Sequence, residues 1–358
     1  MKVFFYVQHL LGIGHLKRAA TLARALRAAG FEVTLASGGA PVEGIAVLQL
    51  PPASSPDFKV LLDEKGNPVD DAWKKRRRAA LLDAYRSSKA DILLIELFPF
   101  GRRQMRFELL PLLEAAQARL VVCSVRDLIQ PNPAREGETL QVFERYFDHV
   151  LVHGDPRVAP FERTFGRAAD LAGRLHYTGY VVEEPAAPGD AGAGEVLVSA
   201  GGGAVGRRLL ETVIAARALS SLRSRTWRVL AGINAKHIHR LKDEGVIVER
   251  YRNDFTLRLR NCVLSVSQAG YNTVVETLQG GARAVLVPYA AGGESEQTLR
   301  AKLLGQRGLA QVVEECELTP AALAAAIDRA AAAERPRPGA VDLGGARRSA
   351  ELLRGWAA

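Results

Sequence analysis

Short apolar runs alternate with segments of helical period along nearly the whole chain, and the alternation breaks only once. The first series contains Val3 to Val7, Val33 to Ala36, Ile92 to Ile95, Leu120 to Ser124 and Val150 to Val152. The second contains Val196 to Ser199, Arg228 to Ala231, Val246 to Val248, Val263 to Val266 and Ala284 to Val287. Alternation of this kind predicts an α/β protein with doubly wound parallel sheets, since parallel strands need a crossover, usually helical, between them. The break, Glu183 to Gly194 (EEPAAPGDAGAG), is rich in Pro, Gly, Ala and acid and reads as a linker. The expected organisation is therefore a first Rossmann-like domain over 1–182, a linker over 183–194 and a second such domain over 195–340. A C-terminal helix over 341–358 is expected to pack back on the first domain. Open α/β sheets bind ligands beyond the carboxyl ends of their strands, so two facing sheets would put the site in an interdomain cleft.

Length agrees with two domains, because 358 residues exceed what one core usually organises. Three cysteines, Cys123, Cys262 and Cys316, are widely spaced, the first two within apolar runs that read as buried strands, as in a reducing compartment. The first residues lack the pattern of a cleaved leader, and no run of eighteen apolar residues occurs. A cytoplasmic location is expected, with membrane contact at most peripheral. The net charge of +9 favours acidic partners such as nucleotide phosphates or anionic lipid. Lys74, Lys75, Arg76, Arg77 and Arg78 lie in a segment of helical period, which reads either as a solvated face or as a docking strip for an anionic membrane. Nucleic acid is not expected, since no aromatic residues are interleaved with these basic ones.

Four segments carry chemical content. Gly12-Ile-Gly14-His15 follows the first strand and opens a long helix, so His15 reads either as a general base or as a helix-capping histidine. Ser199-Ala-Gly201-Gly202-Gly203-Ala204-Val-Gly206 fits the dinucleotide pattern literally, which raises a NAD-dependent enzyme as a rival. That rival needs an acid at the end of the next strand, where this chain has Gly232-Ile233-Asn234, so a diphosphate turn remains and the dinucleotide does not. Ser265 to Leu278 (SVSQAGYNTVVETL) runs from a strand through Gly270 into a helix bearing Glu276, a carboxylate able to accept both hydroxyls of a ribose. Gly292-Gly-Glu-Ser-Glu296-Gln297 sets a carboxylate beside an amide, a pair able to read the hydroxyls of a hexose.

Together these residues resemble the glycosyltransferase family typified by the N-acetylglucosaminyltransferase that completes the lipid-linked peptidoglycan precursor. The resemblance covers the C-terminal half and the first thirty residues, and it implies the GT-B architecture of two facing Rossmann-like domains. By that resemblance Glu276 would hold the ribose of UDP, and the amides of Gly201 to Ala204 would meet the diphosphate. Backbone near Arg252 would read the uracil, Gln297 with Glu296 would contact the sugar, and Gly270 would allow close approach. Gly14, Ser199, Arg207, Ser267 and Ala269 complete the expected donor site. The sugar-reading loop departs from the family's paired Gln, and Glu96 to Arg103 and Ser124 to Asp127 replace its acceptor segments. These segments look more like an uncharacterised bacterial branch of such enzymes.

The implied reaction is an inverting transfer of a hexose or N-acetylhexosamine from a UDP-sugar to an unidentified hydroxyl. His15 leads as base, with Glu96 and Asp127 behind it. No Asp-x-Asp segment is present to hold a divalent cation, so no metal or other cofactor is expected, and the leaving charge would fall on helix-start amides and Arg207. A UDP-sugar hydrolase with a similar turn (here Gly12 to Arg18) and an epimerase remain alternatives, as does a non-catalytic nucleotide-sugar or lipid-binding module.

Overall fold

The computed structural model describes residues 1–56, 59–201, 206–232 and 244–357. They form two compact units, one of Met1–Pro156, Pro160–Val181 and Gly344–Ala358, the other of Arg157–Ala159 and Val182–Leu343.

The first unit runs β1 (Lys2–Val7), α1 (Gly14–Ala28), β2 (Glu32–Ser37), β3 (Leu48–Gln49), α2 (Asp71–Ser88), β4 (Ile92–Glu96), α3 (Arg106–Glu114), β5 (Leu120–Arg126), α4 (Glu136–Tyr146), β6 (His149–His153) and β7 (Leu175–Tyr177). Among the described residues its sheet has the order β3-β2-β1-β4-β5-β6-β7, every pair parallel. β1 explains why both faces must be covered. Its Phe4 and Tyr6 join a core with Leu81 and Tyr85 of α2 and Leu109 and Leu112 of α3. Its Val3, Phe5 and Val7 point the other way, into a core with Leu16, Leu22 and Leu26 of α1.

The second unit runs β8 (Val196–Ser199), α5 (Arg207–Leu219), β9 (Trp227–Leu230), β10 (Val246–Glu249), α6 (Phe255–Asn261), β11 (Leu264–Ser267), α7 (Tyr271–Gln279), β12 (Ala284–Leu286), α8 (Glu296–Gln306), β13 (Gln311–Val312) and α9 (Pro320–Ala332). Its sheet, among the described residues, has the order β10-β9-β8-β11-β12-β13 and is again parallel throughout. Val198, Val229, Val266 and Val285 pack with Val213 of α5 and Leu323 and Ile327 of α9. The start of α9 is set locally, because Thr319 accepts from the Ala322 N–H at 3.1 Å and Pro320 takes the first helical position.

The basic strip lies on α2, which Asp70 caps through the Trp73 N–H at 2.6 Å. Lys75, Arg76 and Arg78 are exposed and Lys74 is half-buried against Asp71. Arg77 must be removed from any docking face, since it is fully buried. Its guanidinium meets Glu108 at 2.9 Å, Gln8 at 2.9 Å and the carbonyls of Gly38 and Pro51, partners that satisfy a charge the interior could not otherwise hold. Cys262 is buried at the end of α6 rather than within a strand. No helix among the described residues is long and apolar enough to cross a membrane.

The final helix, α10 (Gly345–Ala357), belongs to the first unit, where Ala350, Leu353 and Ala357 join the α1 core. Trp356 stacks on His149 with ring centroids 3.9 Å apart and 21° between planes. The helix begins with the Gly345 N–H donating to the Tyr180 carbonyl at 3.0 Å. A Cβ at Gly345 would stand 2.3 Å from the Gly179 oxygen and 2.6 Å from the Tyr180 oxygen, both rigid backbone. Gly345→Ala is therefore expected to destabilise the protein by about 1–3 kcal/mol through overpacking. Urea denaturation followed by circular dichroism checks this, and an unchanged midpoint would show that α10 is not anchored there.

Candidate active site

In the first unit the strand order reverses between β1 and β4, and open α/β sheets place their ligand sites beyond the carboxyl ends of the strands at such a position. His15, on the first turn of α1, and Glu96, the last residue of β4, meet there. His15 Nδ1 lies 2.7 Å from Glu96 Oε1, and Arg18 Nη2 lies 2.5 Å from the same oxygen. The Glu96 side chain is 1% exposed and that of His15 is 15% exposed, so the carboxylate sits behind the imidazole. Burial pushes the His15 pKa down to about 3, with Arg102 and Arg126 acting in the same direction and Glu96 against it. Burial alone would raise Glu96, but His15, Arg18 and Arg102 outweigh it and hold the carboxyl at about 2. The result at neutral pH is a neutral imidazole hydrogen-bonded to an ionised carboxylate.

A second buried polar chain lies beside the first. Ser124, which pairs with Glu96 in the sheet, contacts His153 Nε2 at 2.8 Å, and His153 Nδ1 contacts Thr178 at 2.9 Å. Burial and Arg18 push His153 down to about 3 as well. The loop after β4 is strained, with Leu97 at φ 68° and Arg102 at φ 58°, and Arg102 Nε donates to the Gln8 carbonyl at 2.9 Å. That bond ties the loop leaving β4 to the loop leaving β1, which leads into the helix that carries His15.

Two of the expected bases are corrected. Glu96 is a partner of His15 rather than a base facing an acceptor, because its carboxylate is enclosed by His15 and Arg18. Asp127 is fully buried, its Oδ1 accepting from the Leu128 N–H at 2.8 Å. The backbone of Gly154 presses on it so closely that a Cβ there would stand 2.7 Å from the Asp127 Cβ. Arg18 and His153 were not singled out from the sequence as members of the site. Arg18 carried a signal, three positions after His15 and so on the same helix face; His153 carried none.

In the second unit the order reverses between β8 and β11, and Ser199 and Ser267 are register partners at the carboxyl ends of these strands. Ser199 Oγ accepts from the Gly201 N–H at 3.2 Å, and the Gln268 N–H donates to the Ser199 carbonyl at 3.3 Å. Gly201 and Gly206 have φ of 65° and 107°, left-handed conformations that a β-carbon would strain. Gly202, Gly203 and Ala204 lie outside the described residues. Ala269 is buried, and Gly270 precedes α7 with φ −65° and open space where a Cβ would be, so neither strain nor packing within the protein requires a glycine there. Glu276 lies on the second turn of α7, half-buried.

The remaining donor residues divide. Gln297 accepts from the Tyr289 N–H at 3.2 Å, which fixes it against the loop after β12. Glu296 is corrected: it is 2% exposed and bound at 2.6 Å to the fully buried Arg300, which also donates to the Ala269 carbonyl at 3.0 Å. Its carboxylate thus braces the Ala269–Gly270 turn from inside and does not face a sugar. Arg207 opens α5 with its exposed side chain paired to Glu211 at 2.7 Å. Arg252 is committed to Asp254 and Glu249 at 2.9 and 3.2 Å, while Gly14 takes the first position of α1.

Residues 200–338 match the glycosyltransferase family 28 C-terminal domain. Over 193 residues the chain is 28% identical to a Thiobacillus denitrificans protein named UDP-N-acetylglucosamine--N-acetylmuramyl-(pentapeptide) pyrophosphoryl-undecaprenol N-acetylglucosamine transferase, covering 51% of each chain. Over 95 residues it is 36% identical to the protein of that name from Methylibium petroleiphilum, covering 26% of this chain and 25% of the relative. The chain thus matches from a quarter to about half the length of these curated relatives. The crystal structure of CalG4, the calicheamicin glycosyltransferase, superposes with a TM-score of 0.66 at 17% identity, covering 99% of this chain and 98% of the other. The chain is family 28-like in its second unit and has the GT-B fold throughout.

Two of the depressed histidines, those held furthest below their ordinary value, make stability depend on acid. His15 and His153 have ordinary pKa values near 6.5 when unfolded and about 3 when folded, so the unfolded chain takes up protons first. Above about pH 6.5 neither costs anything; as pH falls from there toward 3, each removes up to about 1.4 kcal/mol per pH unit. Glu96, held low, adds stability that is lost only below its ordinary value of 4.5. Urea midpoints should therefore fall between pH 7 and 5, and less steeply in His153→Gln. A midpoint flat across that range would mean that the imidazoles take up protons as readily in the folded protein as in the unfolded chain.

Proposed function

We propose that this chain is a glycosyltransferase that moves a hexose or N-acetylhexosamine from a UDP-sugar to a hydroxyl acceptor, with inversion at the anomeric carbon. The observation that carries the reading is the coincidence of two things in the second unit. The segment matching the family 28 domain contains the chain that follows β8 and β11 at the point where the strand order reverses, and α7 leads from that point to Glu276. Glycine turns that open helices suit a diphosphate, and a carboxylate one and a half turns into the helix suits the ribose hydroxyls. The names of the curated relatives favour UDP-N-acetylglucosamine as donor.

The first unit supplies the base. A carboxylate can only accept from Nδ1, so the His15–Glu96 bond fixes the proton on Nδ1 and leaves the Nε2 lone pair for the acceptor. As the acceptor oxygen bonds to the anomeric carbon, its proton passes to Nε2 and the bond from that carbon to the diphosphate oxygen breaks. Glu96, kept ionised by Arg18, stabilises the imidazolium that forms, and the leaving UDP takes its electron pair onto oxygens facing helix-start amides. Lys75, Arg76 and Arg78 fit a peripheral contact with an anionic membrane that carries a lipid-linked acceptor.

Thermal unfolding with UDP, dTDP, GDP, UDP-sugars and NAD tests the donor. UDP at a hundred times its Kd should stabilise by about 2.7 kcal/mol, and Glu276→Ala should remove the effect. Stabilisation by NAD and not by UDP would sink the reading, and UDP release at full rate without acceptor would replace the transferase with a hydrolase. His15→Ala is expected to lower turnover about 100-fold or more while leaving UDP affinity as in the parent. Lost UDP affinity in that variant would make His15 a donor ligand instead.

A further inference from the structure

Six charged side chains of the second unit close into a ring. Arg228 meets Glu195 through Nε and Nη2 at 2.9 and 2.8 Å and Glu249 through Nη1 at 2.7 Å. Glu249 meets Arg252 at 3.2 Å, and Arg252 meets both oxygens of Asp254 at 2.9 Å. Arg258 takes the same two oxygens at 3.1 and 3.0 Å and returns to Glu195 at 2.8 Å. Guanidinium and carboxylate alternate around the circuit, three of each, so the ring is neutral.

The ring is graded from inside to outside. The side chains of Arg258, Arg228 and Glu195 are 8, 11 and 13% exposed, whereas those of Asp254, Glu249 and Arg252 are 27, 28 and 35% exposed. The outer three, with Tyr251 and Asn253, line a surface concavity beyond the carboxyl end of β10. Asp254, at the start of α6, spends its carboxylate on the two arginines rather than on capping the helix. Tyr251 is 51% exposed at the rim.

Three isolated surface pairs would add little, and charges at the depth of Arg228 and Glu195 cost desolvation that apolar side chains would avoid. What a closed circuit of forked contacts does provide is a single geometry, since no member can turn without breaking its contacts to two partners at once. Here it locks the loop of residues 250–254 to β9, to β10, to α6 and to the segment entering β8. We infer that the ring is a positioning device for the nucleobase end of the donor site, with Glu195, Arg228 and Arg258 acting through the loop and not on the ligand. Backbone groups of that loop then meet a pyrimidine in the concavity. This rests on the nucleotide-sugar reading above.

Calorimetric Kd values for UDP and for inorganic pyrophosphate, together with Tm, test it in the full chain. Glu195→Gln keeps the shape and removes the charge shared by Arg228 and Arg258; Arg258→Lys keeps the charge and loses the fork, and serves if the first variant fails to fold. The expected result is a UDP Kd raised about tenfold or more with the pyrophosphate Kd unchanged, so that the ratio of the two affinities moves. A lower Tm with an unchanged ratio overturns the inference alone and makes the ring merely structural. No UDP binding by the parent protein overturns the nucleotide reading, and the inference with it.

Discussion

Parallel strands cannot be joined by a tight hairpin, so each must be followed by a crossover that covers one face of the sheet and brings the chain back to the same edge. Both units obey this constraint, and the rest of the molecule follows from it. All loops that leave strand ends in the winding direction collect at one edge of each sheet, and where the winding reverses, two neighbouring loops part. His15 and Glu96 occupy that position in the first unit, and Ser199 and Ser267 in the second. The candidate site residues come from distant parts of the sequence, yet the topology alone brings each pair together.

The charged groups buried in the structure differ in what they accomplish. Arg77 with Glu108 and Arg300 with Glu296 are fully enclosed pairs whose fork-shaped donors also satisfy backbone carbonyls. They hold loops at the carboxyl edge of each sheet: Gly38 in the first unit, the Ala269–Gly270 turn in the second. Glu96 is different, because one of its two partners is an imidazole that keeps some exposure. A carboxylate with an arginine on one side and an imidazole on the other stays ionised and fixes which ring nitrogen carries the proton. A pair that looks like an ordinary buried salt bridge thereby becomes a means of presenting a lone pair.

Several features could be read from residues alone because they depend on local pattern. The apolar runs mark the strands, and their alternation with helical period gives the parallel class. Glycine at 201 and 206 announces left-handed turns, and the conjunction of Gly270, Glu276 and Pro288 marks the second unit as family 28-like. The errors share one cause. Glu296 beside Gln297 looks like a sugar-reading pair, Arg77 looks like part of a basic strip, and Asp127 looks like a base after a strand. Each is buried, and burial depends on which side of an element faces the core. In a helix that side changes every residue, so neighbours such as Arg76 and Arg77 can end in water and in the interior.

The amino-acid sequence by itself determined the fold class, the positions of most strands and the glycine turns, since each is set by periodicity and backbone sterics within a few residues. Tertiary structure alone decided that Glu96 stands behind His15 and that Arg18 shares its oxygen. It alone closed six charges from β9, β10, α6 and two loops into one circuit. These outcomes depend on distances between residues as many as 81 positions apart, which no local pattern encodes. Packing of the sheet fixes those distances, and with them which charges must be satisfied inside the protein and which remain open to a ligand.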